Sequence, residues 1–490
     1  MAATEAQRIV SPTEAFRTPQ VRILVALALL AMAFRTPFIV WGDTWFNLVL
    51  GREIASNGLI ARNLLTEQGF GVECVDQQWL AHAIYFAIEK HCGLVGVVLL
   101  AASITAGTFV SAVAIALARG ATPGRTLGVG VLALGVVLSQ TVARAQTLVL
   151  PCIVAFACVL CNDARRSSRG VWWLVPCAVV WANIHGSVLL APTMGVLLLV
   201  GRMVDRCRRH EAMAGREILR DAVLAASLFA AVFVSPYMCK LPSYYWSTVA
   251  SPAFRAYLTE WQPPSSFEAP GALLLCAVVF LTLRPALPVT STFEASLALL
   301  LATATLLSVR HALPLALTAA AVLPRWADAA LGRFLRVEPD RVLEFVARLL
   351  IPISLASFAA IPLAFGHSIH VEPPVAFADR VASAAARGPL LVDEAHADRL
   401  LWFHPELRGR VSHDARVETI PIAFLRSLAS LYAAPDSRSF RELLTRYGTV
   451  VVDRGLHPQF YQSMRRDPRW RQIAADGHAS AYVRLGSMAD

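Results

Sequence analysis

Charge is what this sequence has little of. Charged residues fill 16% of the 490 positions and hydrophobic ones 56%, whereas a soluble globular chain carries about 25% charged. That shortfall excludes a wholly soluble enzyme and a disordered chain. Lysine is almost missing, with Lys90 and Lys240 the only two, so the net charge of +10 is arginine. Alongside abundant alanine, this reads as a GC-rich coding bias, and the choice of arginine over lysine carries little functional weight. The nine cysteines show no CxxC or His/Cys metal spacing. A disulfide-dense module is thereby excluded, and five of them (Cys152, Cys158, Cys161, Cys177 and Cys276) sit in apolar runs as small packing residues. There is no internal repeat and no low-complexity tract.

What is present is a series of apolar runs. A bilayer core of about 30 Å needs about 20 apolar residues per helix. The first run, Ile23–Val40, is too long for a signal h-region and has no cleavage site after it, so it reads as an anchor. Further runs continue to Leu349–Phe365, and together they predict about eleven spans. Several are short, as buried or tilted helices are. Arginine placement orients them. Arg165, Arg166 and Arg169, and the six arginines from Arg202 to Arg220, fall on the cytoplasmic side when the count is eleven. The N-terminus is then cytoplasmic, and Gly42–Gly93 is one long external loop. Residues 1–370 form the α-helical polytopic membrane domain. Residues 371–490 form a small extracytoplasmic α/β domain, with strands expected at Pro389–Val392 and Thr449–Val452 and an amphipathic helix at Ser437–Arg446. Cys74 and Cys92 share the external loop and are candidates for a disulfide.

This topology collects polar residues at the outer helix ends. Asp43 follows the first span, and Asp76, Trp79 and His82 lie later in the same loop. Arg144 and Gln146 occupy one tight turn, Asn183 and His185 a second, and Arg310 and His311 a third. Glu260 lies in a longer loop. Each has a plainer role open to it: Asp43 as a helix cap, the arginines snorkelling, His185 packing, the tryptophans in an interfacial belt, Glu260 paired with Arg255. Jointly they describe a site for an anionic, phosphate-bearing lipid substrate, because ionisable groups at membrane depth are costly. Arginine holds phosphate bidentately, histidine donates a hydrogen bond or proton, and a carboxylate takes a proton from an incoming hydroxyl. The inventory suits glycosyl transfer from a polyprenyl-phosphate sugar, with the phosphate as leaving group. The net charge reads as orientation, with no nucleic acid partner.

The ordered motifs then resemble a known family. Asp43 through Gly51-Arg52-Glu53-Ile54, Gln78-Trp79-Leu80 with Tyr85, Arg144-Ala145-Gln146, Trp181-Ala182-Asn183-Ile184-His185-Gly186, Ser235-Pro236-Tyr237, Glu260-Trp261-Gln262-Pro263 and Asp414-Ala415-Arg416-Val417-Glu418 run in sequence. Together they resemble the GT-C superfamily of membrane glycosyltransferases, among bacterial proteins related to the protein mannosyltransferase and aminoarabinose transferase group. The resemblance implies a GT-C-like fold in a bacterial inner membrane. It also implies an inverting transfer to an extracytoplasmic glycan, lipid or protein acceptor. The catalytic base falls on Asp43. Thr44 follows it, so there is no acidic pair, and the expected chemistry is metal-independent and without a cofactor. Asp76 or Glu73 is the candidate second carboxylate. Arg144, His185, Arg310 and His311 would contact the donor phosphate. A lipid or polysaccharide transporter and a non-catalytic assembly factor of the same fold are the rival readings.

Overall fold

A computed structural model describes Glu14 and residues 17–211, 215–249, 259–265, 269–332, 341–364, 375–385, 388–433 and 438–485. Helices α1 (Pro19–Arg35), α2 (Gly42–Asn57), α3 (Trp79–Ala118), α4 (Pro123–Ser139), α5 (Leu150–Arg165), α6 (Leu174–Ala182), α7 (Leu190–Arg208) and α8 (Gly215–Ala231) form the first part of the bundle. Helices α9 (Leu241–Val249), α10 (Pro270–Ala286), α11 (Thr292–Leu307), α12 (Ala312–Leu331) and α13 (Arg341–Ala364) form the rest. Proline opens α1, α4 and α10 in the first turn, where its missing N–H costs nothing. Helix α12 is buried along an almost unbroken stretch from Ala312 to Leu323. A helix apolar on every side belongs at the centre, and α3, α4, α5, α10 and α11 pack around it. Helix α3 breaks at Gly93, whose φ of 64° a side chain would resist. The break separates an amphipathic first segment from an apolar second one.

Four helical segments among the described residues are long and apolar enough to cross a membrane: Pro19–Phe38, Trp79–Ala118, Gly186–Arg208 and Val342–Leu363. That is fewer than the eleven runs suggest. Pro123–Ser139, Arg169–Ala182, Pro270–Ala286 and Thr292–Leu307 are apolar but only 10–17 residues long. At 1.5 Å per residue, 17 residues reach about 26 Å, short of a bilayer core. The charged Arg325 and Asp328 dilute α12. The candidate Cys74–Cys92 disulfide is not made: both thiols are free, Cys74 buried and Cys92 exposed. Cys74 is turned inward where its N–H donates to the Ala61 carbonyl (3.1 Å), while Cys92 sits on the outside of α3.

One end of the bundle is held by buried ion pairs. Glu294, at the start of α11, lies between Arg119 (2.5 Å) and Arg165 (3.0 Å). Asp163 pairs with Arg202 and Arg220 (both 2.7 Å), and Asp221 with Arg202 (2.8 Å) and Arg220 (3.1 Å). Three of the arginines that read as topological charge, Arg165, Arg202 and Arg220, are thus paired with acids inside the helix ends.

After the bundle come α14 (Val375–Ala384), β1 (Leu390–Val392), α15 (Glu394–Phe403), α16 (Ile422–Ala433), α17 (Arg438–Leu444), β2 (Thr449–Asp453), α18 (Pro458–Arg466), β3 (Trp470–Ala475) and β4 (Ala479–Arg484). The sheet order is β1-β2-β4-β3, with β1 and β2 parallel and the other pairs antiparallel. Strand β2 is buried at every position, as its central place requires. The expected division at 370/371 lies outside the described residues. The two parts are closely joined. Asn63, from the loop after α2, accepts from Arg416 Nη2 (2.8 Å) and donates to Thr419 Oγ1 (3.1 Å). Thr66 bridges to Val411 beside β1.

Candidate functional site

Four distant segments meet at the other end of the bundle. Asp43 stands in the first turn of α2, whose start is fixed by Thr44: its hydroxyl donates to the Ala143 carbonyl at 2.9 Å. The next residue, Arg144, is extended, and its carbonyl accepts from the Tyr85 hydroxyl (2.9 Å) and the Thr147 N–H (2.9 Å). Its guanidinium reaches Glu260 at 3.0 Å and Asp43 at 3.6 Å. Arg310, in the single turn between α11 and α12, reaches the other oxygen of Glu260 at 3.6 Å. That guanidinium lies 4.3 Å from the ring centre of Trp261, a cation–π contact. The Gln146 amide donates to the Arg310 carbonyl at 3.5 Å. Arg255, the alternative partner for Glu260, lies outside the described residues.

The electrostatics follow from this arrangement. Surrounding protein raises the Asp43 carboxyl above its ordinary value, with Arg144 working against the rise and Glu260 adding to it. Its side chain still keeps 46% of its exposure, so the group is open to an incoming molecule. Burial pushes Glu260 up too, but Arg310 and Arg144 outweigh it and hold the carboxylate below its usual range. His185 is driven well below its ordinary value by burial, then by Arg310 and Arg144, and is therefore neutral. The Ser187 N–H donates to His185 Nδ1 (3.1 Å), which leaves the ring proton on Nε2 as a donor. His311 is lowered by burial and by Arg310.

Other residues singled out in the sequence serve the frame. Trp79 Nε1 donates to the Asn183 side-chain oxygen (2.8 Å), and the Asn183 amide donates to the carbonyls of Val179 and Val234 (both 2.8 Å). Asp76 turns its carboxylate to His82 (3.0 Å), and both are buried. Glu73 pairs with Lys240. The carboxylate that shares Arg144 with Asp43 is therefore Glu260, from a loop more than 200 residues away. Among the described residues, no group of three or more His, Cys, Asp or Glu side chains is placed to hold a metal ion.

The C-terminal domain contributes a residue that sequence reasoning missed. Helices α2 and α15 lie side by side with their N-termini together. Gly42 approaches the Ala395 backbone so closely that a Cβ there would lie 3.5 Å from it, and Arg52 donates to the carbonyls of Leu401 (2.6 Å) and Trp402 (2.8 Å). Glu394, the first residue of α15, is thereby brought into the field of Asp43. Burial first, then Asp43, Asp414 and Glu260, pushes its carboxyl up to about 8. The only signal in the sequence is the acidic run Asp393-Glu394 after a short apolar strand.

The bundle also carries an apolar groove of about 650 Å³. Trp79, Leu80, Val179, Asn183, Phe233 and Pro236 are among its walls, and Asn183 is two residues from His185.

No protein-family model matches the chain, and no curated protein matches it. Among solved structures it is similar to the oligosaccharyltransferase of Archaeoglobus fulgidus in its apo form. The TM-score is 0.50 at 11% identity, over 94% of this chain and 74% of that one. At that identity the likeness is one of fold alone.

Proposed function

We propose that the chain is an inverting glycosyltransferase. It moves a sugar from a polyprenyl-phosphate donor to a hydroxyl on an extracytoplasmic glycan, lipid or protein, with no metal ion or cofactor. The observation that carries this reading is the convergence of Asp43, Arg144, Glu260 and Arg310 on one half-open site. The archaeal enzyme of similar fold is itself an oligosaccharyltransferase, which supports glycosyl transfer as the class of reaction. The arrangement in the membrane belongs to the same proposal. The N-terminus is cytoplasmic in a bacterial inner membrane, and residues 371–490 lie outside.

The acceptor oxygen attacks the anomeric carbon as the carbon–oxygen bond to phosphate breaks, and the bond's electron pair leaves on the phosphate. Asp43 takes the acceptor's proton, and its raised pKa makes it a stronger base than an ordinary carboxylate. Arg144 and Arg310 neutralise the departing phosphate, and His185 Nε2–H adds a neutral donor. The groove beside Asn183 takes the isoprenoid chain. Asp43→Asn keeps the shape and removes the proton acceptor. With purified protein and a labelled polyprenyl-phosphate sugar, this variant should lose about 10²–10⁴-fold in turnover. Near-normal turnover would sink the assignment.

A further inference from the structure

The cations assigned to the donor phosphate are already occupied. Glu260 sits between them with one carboxylate oxygen toward each: Oε2 is 3.0 Å from Arg144 and Oε1 3.6 Å from Arg310. Two anionic oxygens bridging two guanidiniums is the arrangement that phosphate oxygens adopt with arginine. We propose that Glu260 stands in for the donor phosphate in the empty site, and that its side chain swings to solvent when the phosphate arrives.

This inference rests on the reading above and adds a device to it. Two observations favour an exchange of side chain for ligand over a fixed structural pair. First, the charges balance without the donor: Asp43 and Glu260 against Arg144 and Arg310. A phosphate entering beside an unmoved Glu260 would set at least three anions against two cations within one site. Second, Glu260 can leave without moving its backbone. Its carbonyl accepts from the Ser308 hydroxyl (2.9 Å), and the Gln262 carbonyl accepts from the Val309 N–H (2.9 Å). The strand of chain carrying Glu260 is thus stitched to the turn that carries Arg310. The side chain itself is 39% exposed, so rotation carries it to water. The consequence is selectivity. A competing internal carboxylate weakens every anion equally, and a ligand must bring further contacts, such as a polyprenyl chain in the groove, to displace it. A bilayer phospholipid headgroup does not.

The test measures binding of undecaprenyl phosphate to the full chain in detergent micelles, with phosphatidylglycerol and inorganic phosphate as separate arms. Glu260→Gln should tighten undecaprenyl phosphate binding about tenfold, the scale of one charge-assisted contact, and should admit phosphatidylglycerol as well. Glu260→Ala should do the same, which covers a folding failure of either variant. Arg144→Ala should weaken binding in both backgrounds. Unchanged or weaker binding by both Glu260 variants overturns the exchange and makes Glu260 a positioning residue for the arginines. If wild type binds undecaprenyl phosphate and Arg144→Ala weakens it, the functional reading survives that result. If folded wild type and variants all fail to bind it, the exchange and the functional reading fall together. Tightening toward inorganic phosphate alone, with no gain for the lipid, also overturns the proposal.

Discussion

The two ends of the helical bundle carry the same side-chain chemistry in opposite states. At one end Glu294, Asp163 and Asp221 are almost wholly buried, each between two arginines at distances from 2.5 to 3.1 Å. At the other end Asp43 and Glu260 keep 46% and 39% of their exposure, with arginine contacts from 3.0 to 3.6 Å. A buried acid with two close cations has no room for a ligand, and its removal strands two charges. A half-open acid with looser partners can exchange them. Residue type alone does not separate a clamp from a site; enclosure does.

The largest expected effect tests the closed end. Asp163→Ala leaves Arg202 and Arg220 with Asp221 alone between them, and breaking a buried pair costs about 3–5 kcal/mol. Its apparent Tm in detergent should fall further than that of any variant at the open end. Glu260→Gln should stay within about 1 kcal/mol of wild type, as exposed pairs do. Equal falls in Tm for the two variants would erase the distinction between the ends.

Next in size is Arg310→Ala. Its guanidinium contacts the half-exposed Glu260 and the Trp261 ring. The donor KM should rise about tenfold, the worth of one charge-assisted phosphate contact, with Tm little changed. A fall in Tm with donor KM unaltered would move Arg310 to the structural class and break the comparison from the other side.

Much of this was legible in the sequence, and the exceptions share a cause. The apolar runs, the short strands near 390 and 449 and the helix near 440 follow from local pattern, and the structure has them at Leu390–Val392, Thr449–Asp453 and Arg438–Leu444. Strands β3 and β4 were missed because Trp470-Arg471-Gln472-Ile473 and Ala479-Ser480-Ala481 lack a run of branched apolar residues. Their pairing with β2 decides them instead. Asp43, Arg144 and Arg310 stood out as charges at apolar helix ends. The link between them, Glu260, and the proximity of Glu394 to Asp43 depend on contacts between distant segments of the chain, which no local spacing encodes. The number of membrane-crossing helices was overestimated for a related reason. An apolar run marks burial, and a helix packed against others can be shorter than a bilayer.

A further expected effect concerns pH and uses the open end's neighbour. Glu394 holds its proton up to about 8 in the folded chain, whereas an unfolded glutamate loses it near 4.3. Between those values the folded state binds more protons than the unfolded one. Stability therefore falls as pH rises through that window and levels off above about 8. Glu394→Gln removes the titrating group and should flatten this slope, leaving the variant relatively more stable than wild type at pH values above the window. Apparent Tm measured across the window for both proteins checks the sign. If the difference between them does not change with pH, Glu394 does not lie in the field of Asp43, and the C-terminal domain is not part of the open end.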